Sequence, residues 1–404
     1  MILRSRAFAA LLVAETVSTT GMQMTWLALP WFVLTTTGSA GRMVLVLGAE
    51  AIGLTLFGLP GGSLLSRVGP RRMMMVSDGI RGPLTLAIPI LHWTGLLSFP
   101  LLLGLVFALG AFGAGYFAAQ RAVVPEVLGE DERVVGKANA YLQGAQRVTL
   151  LLGPALAGVL IGWIGSASVI VVDAATYVVS FALVGGFIRS IAAPAPEERG
   201  RFLDGLRWLV RDPLLRAWSV AFVVGDAAWY AFFAAVPVLV VADYGADAKI
   251  AGWIFASFGV GAVLGNVVSL RLQERADGLL LVGTLVYGQA LPVWVVAFHV
   301  PAAAIAAAIF VSGLFNGLVN PSIHAILTLR APSAMRARVL TATGAVLMLS
   351  GPLGLAASGP VLDAAGAHPV LVGFAAVQTA AMALCSVAAL RVRAMRREPA
   401  LEGA

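Results

Sequence analysis

The chain has 404 residues, of which 59% are hydrophobic and 12% charged, and its 27 Lys and Arg against 20 Asp and Glu give a formal net charge of +7. Soluble domains average roughly 25% charged residues, so this composition excludes a water-soluble globule, and its apolarity excludes a disordered chain. The single cysteine excludes a disulfide scaffold. The basic residues lie in short segments between apolar runs, which argues against a nucleic-acid partner and for a protein of the lipid bilayer.

Twelve apolar segments are each long enough to cross a bilayer core, which takes roughly 20 residues of helix. They are continuously apolar and lack the alternation of barrel strands, so we expect an all-α membrane protein with twelve transmembrane helices. The 45 glycines and 20 prolines fit this expectation, because neighbouring spans can satisfy an interrupted backbone. The predicted spans are 7–35, 41–66, 73–92, 97–121, 136–163, 166–189, 213–242, 249–272, 279–298, 301–329, 336–362 and 368–391.

The distribution of Lys and Arg predicts the orientation of these spans. If the N-terminus is cytoplasmic, 23 of the 27 basic residues fall on the cytoplasmic side or at its edge. Arg42 and Lys249 lie outside, and Arg81 and Arg147 lie within spans. This is the asymmetry of the positive-inside rule, so we expect a multi-pass protein of a bacterial plasma membrane with both termini in the cytoplasm.

The longest cytoplasmic connection predicts the domain organisation. Residues 191–212 separate a first six-helix bundle, 1–190, from a second, 213–391, and a cytoplasmic tail follows at 392–404. Phe202, Leu206 and Leu209 recur at helical spacing in this connection, so we expect an amphipathic surface helix there. A regulatory partner site is the alternative.

Similar segments recur six spans apart. The segment from Gly58 to Arg67 at the end of span 2 is similar to that from Gly261 to Arg271 at the end of span 8, and Gly153-Pro154 in span 5 returns as Gly351-Pro352 in span 11. Such a repeat predicts two halves related by an axis along the membrane normal.

The loop between spans 2 and 3 resembles a motif of the major facilitator superfamily, Gly-x-Leu-Ala-Asp-Arg-x-Gly-Arg-Arg. The chain matches it at Gly62, Leu64, Arg67 and Gly69, followed by Arg71 and Arg72, while Ser66 replaces the aspartate. The resemblance implies the major facilitator fold, with two pseudo-symmetric six-helix bundles that expose a midplane site alternately to each side, and it assigns these glycines and arginines to gating.

Span 5 carries a second resemblance, to the exporters of that superfamily, at Gly153, Pro154 and Gly158. Residues 125–158 and 173–177 are similar to a bacterial subgroup with macrolide, tetracycline and siderophore exporters. The mid-helix arginine that the family has in span 4 is absent, since Arg121 lies at the cytoplasmic end.

Ionisable residues in the first spans are candidates for function, because a charge at the bilayer centre costs about 2.5–3.5 kcal/mol even on lenient scales. Glu15 lies about 13 Å into span 1 by the helical rise, and Trp26 continues its face. Glu50 has a similar depth in span 2. Both are candidate proton-coupling groups, and Trp26 a candidate substrate contact in the cavity that the family resemblance implies.

Three further charged residues lie in spans 3 and 5. Asp78 and Arg81 are spaced i, i+3 and can pair directly, and Asp78 is also a candidate partner for Arg67 or Arg71 in a gate. Arg147 lies about 15 Å into span 5. It is a candidate partner of one of the acids, either exchanging partners as protons arrive or forming a permanent ion pair.

Asp226, roughly 15 Å into span 7, shares its helical face with Trp229, Tyr230 and Phe233. This predicts a proton-titrating acid beside an aromatic site for apolar or cationic solutes. A structurally paired aspartate with ordinary packing aromatics is the alternative.

Span 10 carries a polar stripe in which Ser312, Asn316, Asn320 and His324 step by four residues. It predicts either contacts between helices or, for Asn316 and Asn320, contact with the solute. Near the outer end of span 6, Asp173 is expected to form structural hydrogen bonds. His92, His299 and His368 are predicted in external loops without a role.

These features predict a secondary active transporter that exports amphipathic organic compounds or drugs in exchange for protons by alternating access.

 The solute would be a small amphipathic molecule, the other partners protons and the bilayer, and the chain a monomer. An exporter or flippase of a lipid or siderophore, an uptake carrier and a non-transporting receptor or scaffold remain alternatives. No phosphate-binding Gly-x-x-x-x-Gly-Lys-[Ser/Thr] loop is present, so ATP is not the expected drive. One cysteine and four scattered histidines offer no catalytic or metal set, so we expect no enzyme, cofactor or metal.

Overall fold

The computed structural model describes residues 5–129, 131–188, 200–274, 276–332 and 335–401, and in these ranges the regular secondary structure is entirely helical. The helices are α1 (Arg6–Thr37), α2 (Ala40–Val68), α3 (Pro70–Trp93), α4 (Phe99–Leu128), α5 (Glu132–Ile164), α6 (Ser166–Phe187), α7 (Gly200–Arg211), α8 (Pro213–Asp243), α9 (Ala248–Gln273), α10 (Gly278–Leu285), α11 (Ala302–Arg330), α12 (Arg336–Leu347), α13 (Ser350–Ala365) and α14 (Ala367–Leu401).

Helices lie at all twelve predicted spans, and within the described residues ten segments are long and apolar enough to cross a bilayer. The helices α1 and α3 are not among the ten, although they have 32 and 24 residues. Polar side chains such as Glu15 in α1 and Asp78 and Arg81 in α3 lower their hydropathy. These two helices therefore carry three of the ionisable candidates of the first half, Glu15, Asp78 and Arg81.

Two predicted spans are not continuous α-helices. Span 9 begins as α10 and then continues as two 3₁₀ segments, Val286–Gln289 and Pro292–Ala297. Pro292 lacks an amide donor for an α-helical ladder, and Gly288 receives the Phe315 ring, since a Cβ there would lie 2.5 Å from Phe315 Cδ2. Span 11 is divided into α12 and α13 between residues 347 and 350.

The chain divides into two compact units. Unit 1 comprises Met1–Glu197 with Val240–Ala256, and unit 2 comprises Glu198–Leu239 with Ser257–Ala404. Unit 1 thus also includes the turn between α8 and α9, which the sequence places in the second half. In unit 1, α1 packs against α5 and α6, α3 against α4 and α6, and α2 against α4. In unit 2, α10 packs against α11 and α14, and α7 against α12.

Glycines mark equivalent helix crossings in the two units. In unit 1, α2 and α4 cross so closely that a Cβ at Gly110 would lie 2.9 Å from the Glu50 carbonyl carbon. In unit 2, α9 and α11 cross in the same way, because a Cβ at Gly317 would lie 2.7 Å from the Asn266 backbone nitrogen. These helices are spans 2 and 4 and spans 8 and 10, so small residues permit the same close packing six spans apart.

The linker contains the amphipathic helix that its sequence predicts, α7. Its Leu209 is buried in the core of unit 2, and a Cβ at Gly205 would lie 2.6 Å from the Arg338 carbonyl carbon in α12. Asp204 forms an ion pair with Arg338 at 3.7 Å. The Ala-Pro run at 192–196 and the tail end at 402–404 lie outside the described residues.

Candidate functional site

A group of buried polar side chains lies inside unit 1, on α1, α3, α4 and α6. In α1, the Glu15 carboxylate accepts a hydrogen bond from Gln120 Nε2 of α4. Both side chains are buried, and the second carboxyl oxygen of Glu15, Oε1, has no hydrogen-bond partner among the described residues. Glu15 is therefore enclosed by protein, with one oxygen left to accept a proton.

Asp78 and Arg81 of α3 reach across to α6. Asp78 Oδ2 accepts a hydrogen bond from Ser180 Oγ at 2.7 Å, and Arg81 Nη2 donates to the Tyr177 hydroxyl at 2.6 Å. The guanidinium carbon of Arg81 also lies 4.4 Å from the centre of the Tyr177 ring and 5.8 Å from that of Tyr116 in α4. The hydrogen bonds of the two residues thus go to α6 and not to each other.

The sequence suggests Arg67 or Arg71 of the basic loop as a partner for Asp78, but the hydrogen bond of Asp78 comes from Ser180. Arg71 donates its hydrogen bond to the Gly185 carbonyl oxygen at 2.7 Å, while Arg67 and Arg72 are exposed. Gly69 joins α2 to α3 with a φ of 85°, a conformation that favours glycine. Gly62 lies within α2, and the side chains of residues 59–64 and 66 lie outside the described part of the chain.

Asp173 of α6 extends the same polar group toward α1. It is almost fully buried, and its Oδ2 accepts a hydrogen bond from Thr25 Oγ1 at 2.6 Å. Its other oxygen accepts a bond from Thr176 at 3.2 Å. The structural hydrogen bonds expected for Asp173 are present, but its carboxylate also lies within electrostatic reach of Arg81, which its position in the sequence does not reveal.

Glu50 and Arg147 lie in different surroundings. Glu50 of α2 is partly buried and interacts electrostatically with Arg81 and Asp173. Arg147 of α5 is exposed, and its role as a partner of one of the acids stays a prediction. Among the described residues of unit 1, the buried guanidinium that faces the acids is that of Arg81.

In unit 2, α8 presents an acid beside aromatic rings. Asp226 is exposed, and Trp229, Tyr230 and Phe233 are partly exposed. The Trp229 ring packs edge to face against Phe258 of α9 at 4.8 Å. Further aromatic rings around Trp229 come from α8 and α14, namely Phe232, Phe233 and Phe374. Asp226 is therefore exposed next to a wall of packed aromatic rings, and in α1 of unit 1 Trp26 is also exposed, at 38%.

The polar stripe of α11 bonds to the irregular segment of span 9. Ser312 Oγ donates to the Gln289 carbonyl oxygen at 2.7 Å, and Asn316 Nδ2 donates to Gln289 Oε1 at 3.0 Å. Asn320 continues the chain by donating to Asn316 at 3.4 Å. The stripe thus joins helices, while Asn316 and Asn320 stay partly exposed and His324 is exposed.

The exporter motif of α5 makes two close approaches within unit 1. A Cβ at Gly153 would lie 3.3 Å from the Gln23 carbonyl carbon of α1. One at Gly158 would lie 2.7 Å from the Ala248 carbonyl oxygen and 3.2 Å from Gly252 Cα, both in α9. Pro154 is buried inside the helix between them.

The sequence analysis does not predict two features of unit 2. The rings of His299 and His368 stack with their centres 4.1 Å apart. Asp212 caps α8 by accepting bonds from Leu214 N and Leu215 N, both at 3.0 Å, and pairs with Arg330 at 2.6 Å. The cap has a sequence signal, since an aspartate directly before the proline of a first helical turn is typical of a helix start; the ring stack has none.

Two units of apolar helices that enclose ionisable groups are typical of membrane transport proteins. The family profile of the Major Facilitator Superfamily matches residues 11–355 and again residues 218–403, and the chain belongs to this family. The resemblance seen in the loop between spans 2 and 3 and the all-α membrane fold are thereby confirmed.

Relatives and solved structures match nearly the whole chain. The multidrug efflux pump Tap of Mycobacterium tuberculosis is 25% identical over 374 residues, which cover 90% of this chain and 89% of that protein. The pump of the same name from Mycolicibacterium fortuitum is 27% identical over 367 residues, or 86% and 87%. A bacterial homologue of the human lysosomal transporter Spinster has the same fold, with a TM-score of 0.74 at 16% identity over 96% and 97% of the two chains.

Proposed function

We propose that this protein exports amphipathic organic compounds, drugs among them, in exchange for protons and by alternating access. The observation that carries the proposal is the exposed Asp226 carboxylate on the same face of α8 as Trp229, Tyr230 and Phe233. An acid attracts a cationic group, and aromatic faces accept both cations and apolar rings. The arrangement suits a solute that is positively charged at one end and apolar at the other.

The similarity to multidrug efflux pumps supports export as the direction of transport. Both relatives named Tap match at 25% and 27% identity over most of their length. We propose the bacterial plasma membrane as the location, with both termini in the cytoplasm, because that orientation places 23 of the 27 basic residues on the cytoplasmic side or at its edge.

Protons are the proposed counter-ion because carboxyl groups outnumber cations inside the spans. We assign Asp226 as the group for which solute and proton compete, and Glu15 and Glu50 as further proton-carrying groups. Arg147 is exposed on α5, and we propose that it forms an ion pair with one of these acids in another conformation of the transport cycle. Trp26, Asn316 and Asn320 complete the proposed solute contacts.

Ethidium, an aromatic cation, is the probe that tests this proposal. Purified protein in proteoliposomes should accumulate ethidium when a pH gradient is imposed and lose it when the gradient is collapsed. Asp226→Asn should abolish this accumulation, whereas Glu274→Gln, an equivalent change of an exposed acid at the end of α9, should retain it. Accumulation that ignores the gradient would reject proton exchange, and no ethidium movement under any gradient would reject the solute class.

A further inference from the structure

The buried groups of unit 1 form one ionisable cluster, which we name the Arg81 cluster. Its members are Glu15 of α1, Glu50 of α2, Asp78 and Arg81 of α3, Tyr116 of α4, and Asp173 and Tyr177 of α6. The cluster lies inside unit 1 and includes no residue of α8, so it is separate from the acid and aromatic rings assigned to the solute.

The charges of this cluster do not balance. Three of its carboxyl groups, Glu50, Asp78 and Asp173, interact electrostatically with Arg81, which is its one cation among the described residues. The fourth, Glu15, interacts with Asp78 instead. A buried carboxylate without a compensating cation is costly in a bilayer, and the single positive charge of one guanidinium neutralises one carboxylate. The remaining carboxyl groups are therefore tolerated only when they carry protons.

The hydrogen bonds of the cluster leave specific atoms for those protons. Glu15 Oε1 and Asp78 Oδ1 are buried without a hydrogen-bond partner, in side chains that are 2% and 1% exposed. The Tyr116 hydroxyl and Arg81 Nε also lack a partner. A carboxyl oxygen that binds a proton becomes a donor and a neutral group, so the missing partner and the excess charge are resolved together.

We propose that the Arg81 cluster is a proton-binding site that couples the two transport directions, with Asp78 and Glu15 as the groups that take up and release the proton. The proposal rests on proton exchange as the proposed function. When Asp78 is protonated, its new O–H bond neutralises the carboxylate, and Asp173 remains to balance Arg81. When that proton leaves, the Asp78 carboxylate regains its charge near Arg81, which follows three residues later on the same face of α3.

Two assays in proteoliposomes distinguish proton coupling from ethidium transport itself: ethidium exchange without a pH gradient, and ethidium accumulation driven by a gradient. In Asp78→Asn, exchange of labelled for unlabelled ethidium without a pH gradient should persist, while accumulation driven by a gradient should be lost. Asp131→Asn is the matched control, because asparagine keeps the oxygen that caps α5 by accepting from Val134 N; this variant should keep both activities. Driven accumulation by Asp78→Asn at the wild-type rate would overturn the proposal.

A second measurement does not depend on transport. Infrared difference spectra of the wild-type protein between two pH values should show the C=O stretch of a carboxyl group that gains a proton in an apolar environment, and Asp78→Asn should lose part of that band. Glu15→Gln gives the same comparison if Asp78→Asn does not fold. A wild type without a titrating band overturns the Arg81 cluster as a proton site. A wild type with the band but without ethidium transport overturns only the proposed function.

Discussion

The close crossing of α2 and α4 makes a quantitative prediction about a single methyl group. In Gly110→Ala, the new Cβ would lie 2.9 Å from the Glu50 carbonyl carbon and 3.0 Å from Leu54 N, and closer still to the Glu50 carbonyl oxygen. Ordinary contact begins at 3.4 Å. The two helices must therefore separate by at least about 0.5 Å, because both partners of the clash are backbone atoms that cannot rotate away.

The cost of this separation can be compared with a control in the same helix. Overpacking of a close-packed site costs about 1–3 kcal/mol, whereas alanine in an open helical position is favoured over glycine by about 1 kcal/mol. Gly104 of α4 is such a position, because a Cβ there meets nothing within 4 Å. We expect Gly110→Ala to lower the free energy of unfolding and Gly104→Ala to leave it unchanged or raise it slightly.

Thermal unfolding in detergent, followed by size-exclusion chromatography of the remaining folded fraction, measures this difference. A lower Tm for Gly110→Ala than for Gly104→Ala supports the crossing. Equal values of Tm for the two variants would refute the reasoning, since they would show that α2 and α4 can part without cost.

Three further predictions concern other contacts. Asp212→Ala should destabilise unit 2 by about 1 kcal/mol more than Asp212→Asn, because asparagine keeps the cap of α8 and loses only the ion pair with Arg330; equal Tm values would contradict this. Trp229→Leu should weaken ethidium binding by about 0.5–2 kcal/mol while Trp229→Phe keeps most of it, as measured by fluorescence titration, and equal affinities would remove the ring from the site. Gly158→Ala should lower ethidium transport, because its Cβ meets the α9 backbone, whereas the Cβ of Gly162→Ala meets only the flexible end of a lysine at 3.3 Å and this variant should remain active; a fully active Gly158→Ala would show that this approach is not needed.

The sequence predicts the helices well because one physical signal, the length of each apolar run, decides both their existence and their order. It also predicts the amphipathic α7 from the spacing of Leu206 and Leu209. It misses the change from α-helix to 3₁₀ turns in span 9, because that change depends on the Phe315 ring packing against Gly288 from another helix. Contacts of this kind have no local signal.

The candidate site shows the same division between local and tertiary information. Spacing within α3 correctly places Asp78 and Arg81 on one face, and the residues opposite them, Ser180 and Tyr177, are also three apart. Because α3 and α6 pair these residues in opposite order, each side chain of α3 finds its own partner across the interface. A single-helix argument suggests the nearest opposite charge instead, which is why it pairs Asp78 with Arg81.

The acids of the two units differ in a way that bears on how coupling is measured. Asp226 is exposed on α8, while Asp78 is enclosed inside unit 1 and only 1% exposed. If both sites act in one cycle, the link between them is a coupling free energy, and it is reciprocal. If ethidium changes the proton affinity of the wild-type protein by some factor, a bound proton must change the ethidium affinity by the same factor. Asp78→Asn should reduce both factors equally.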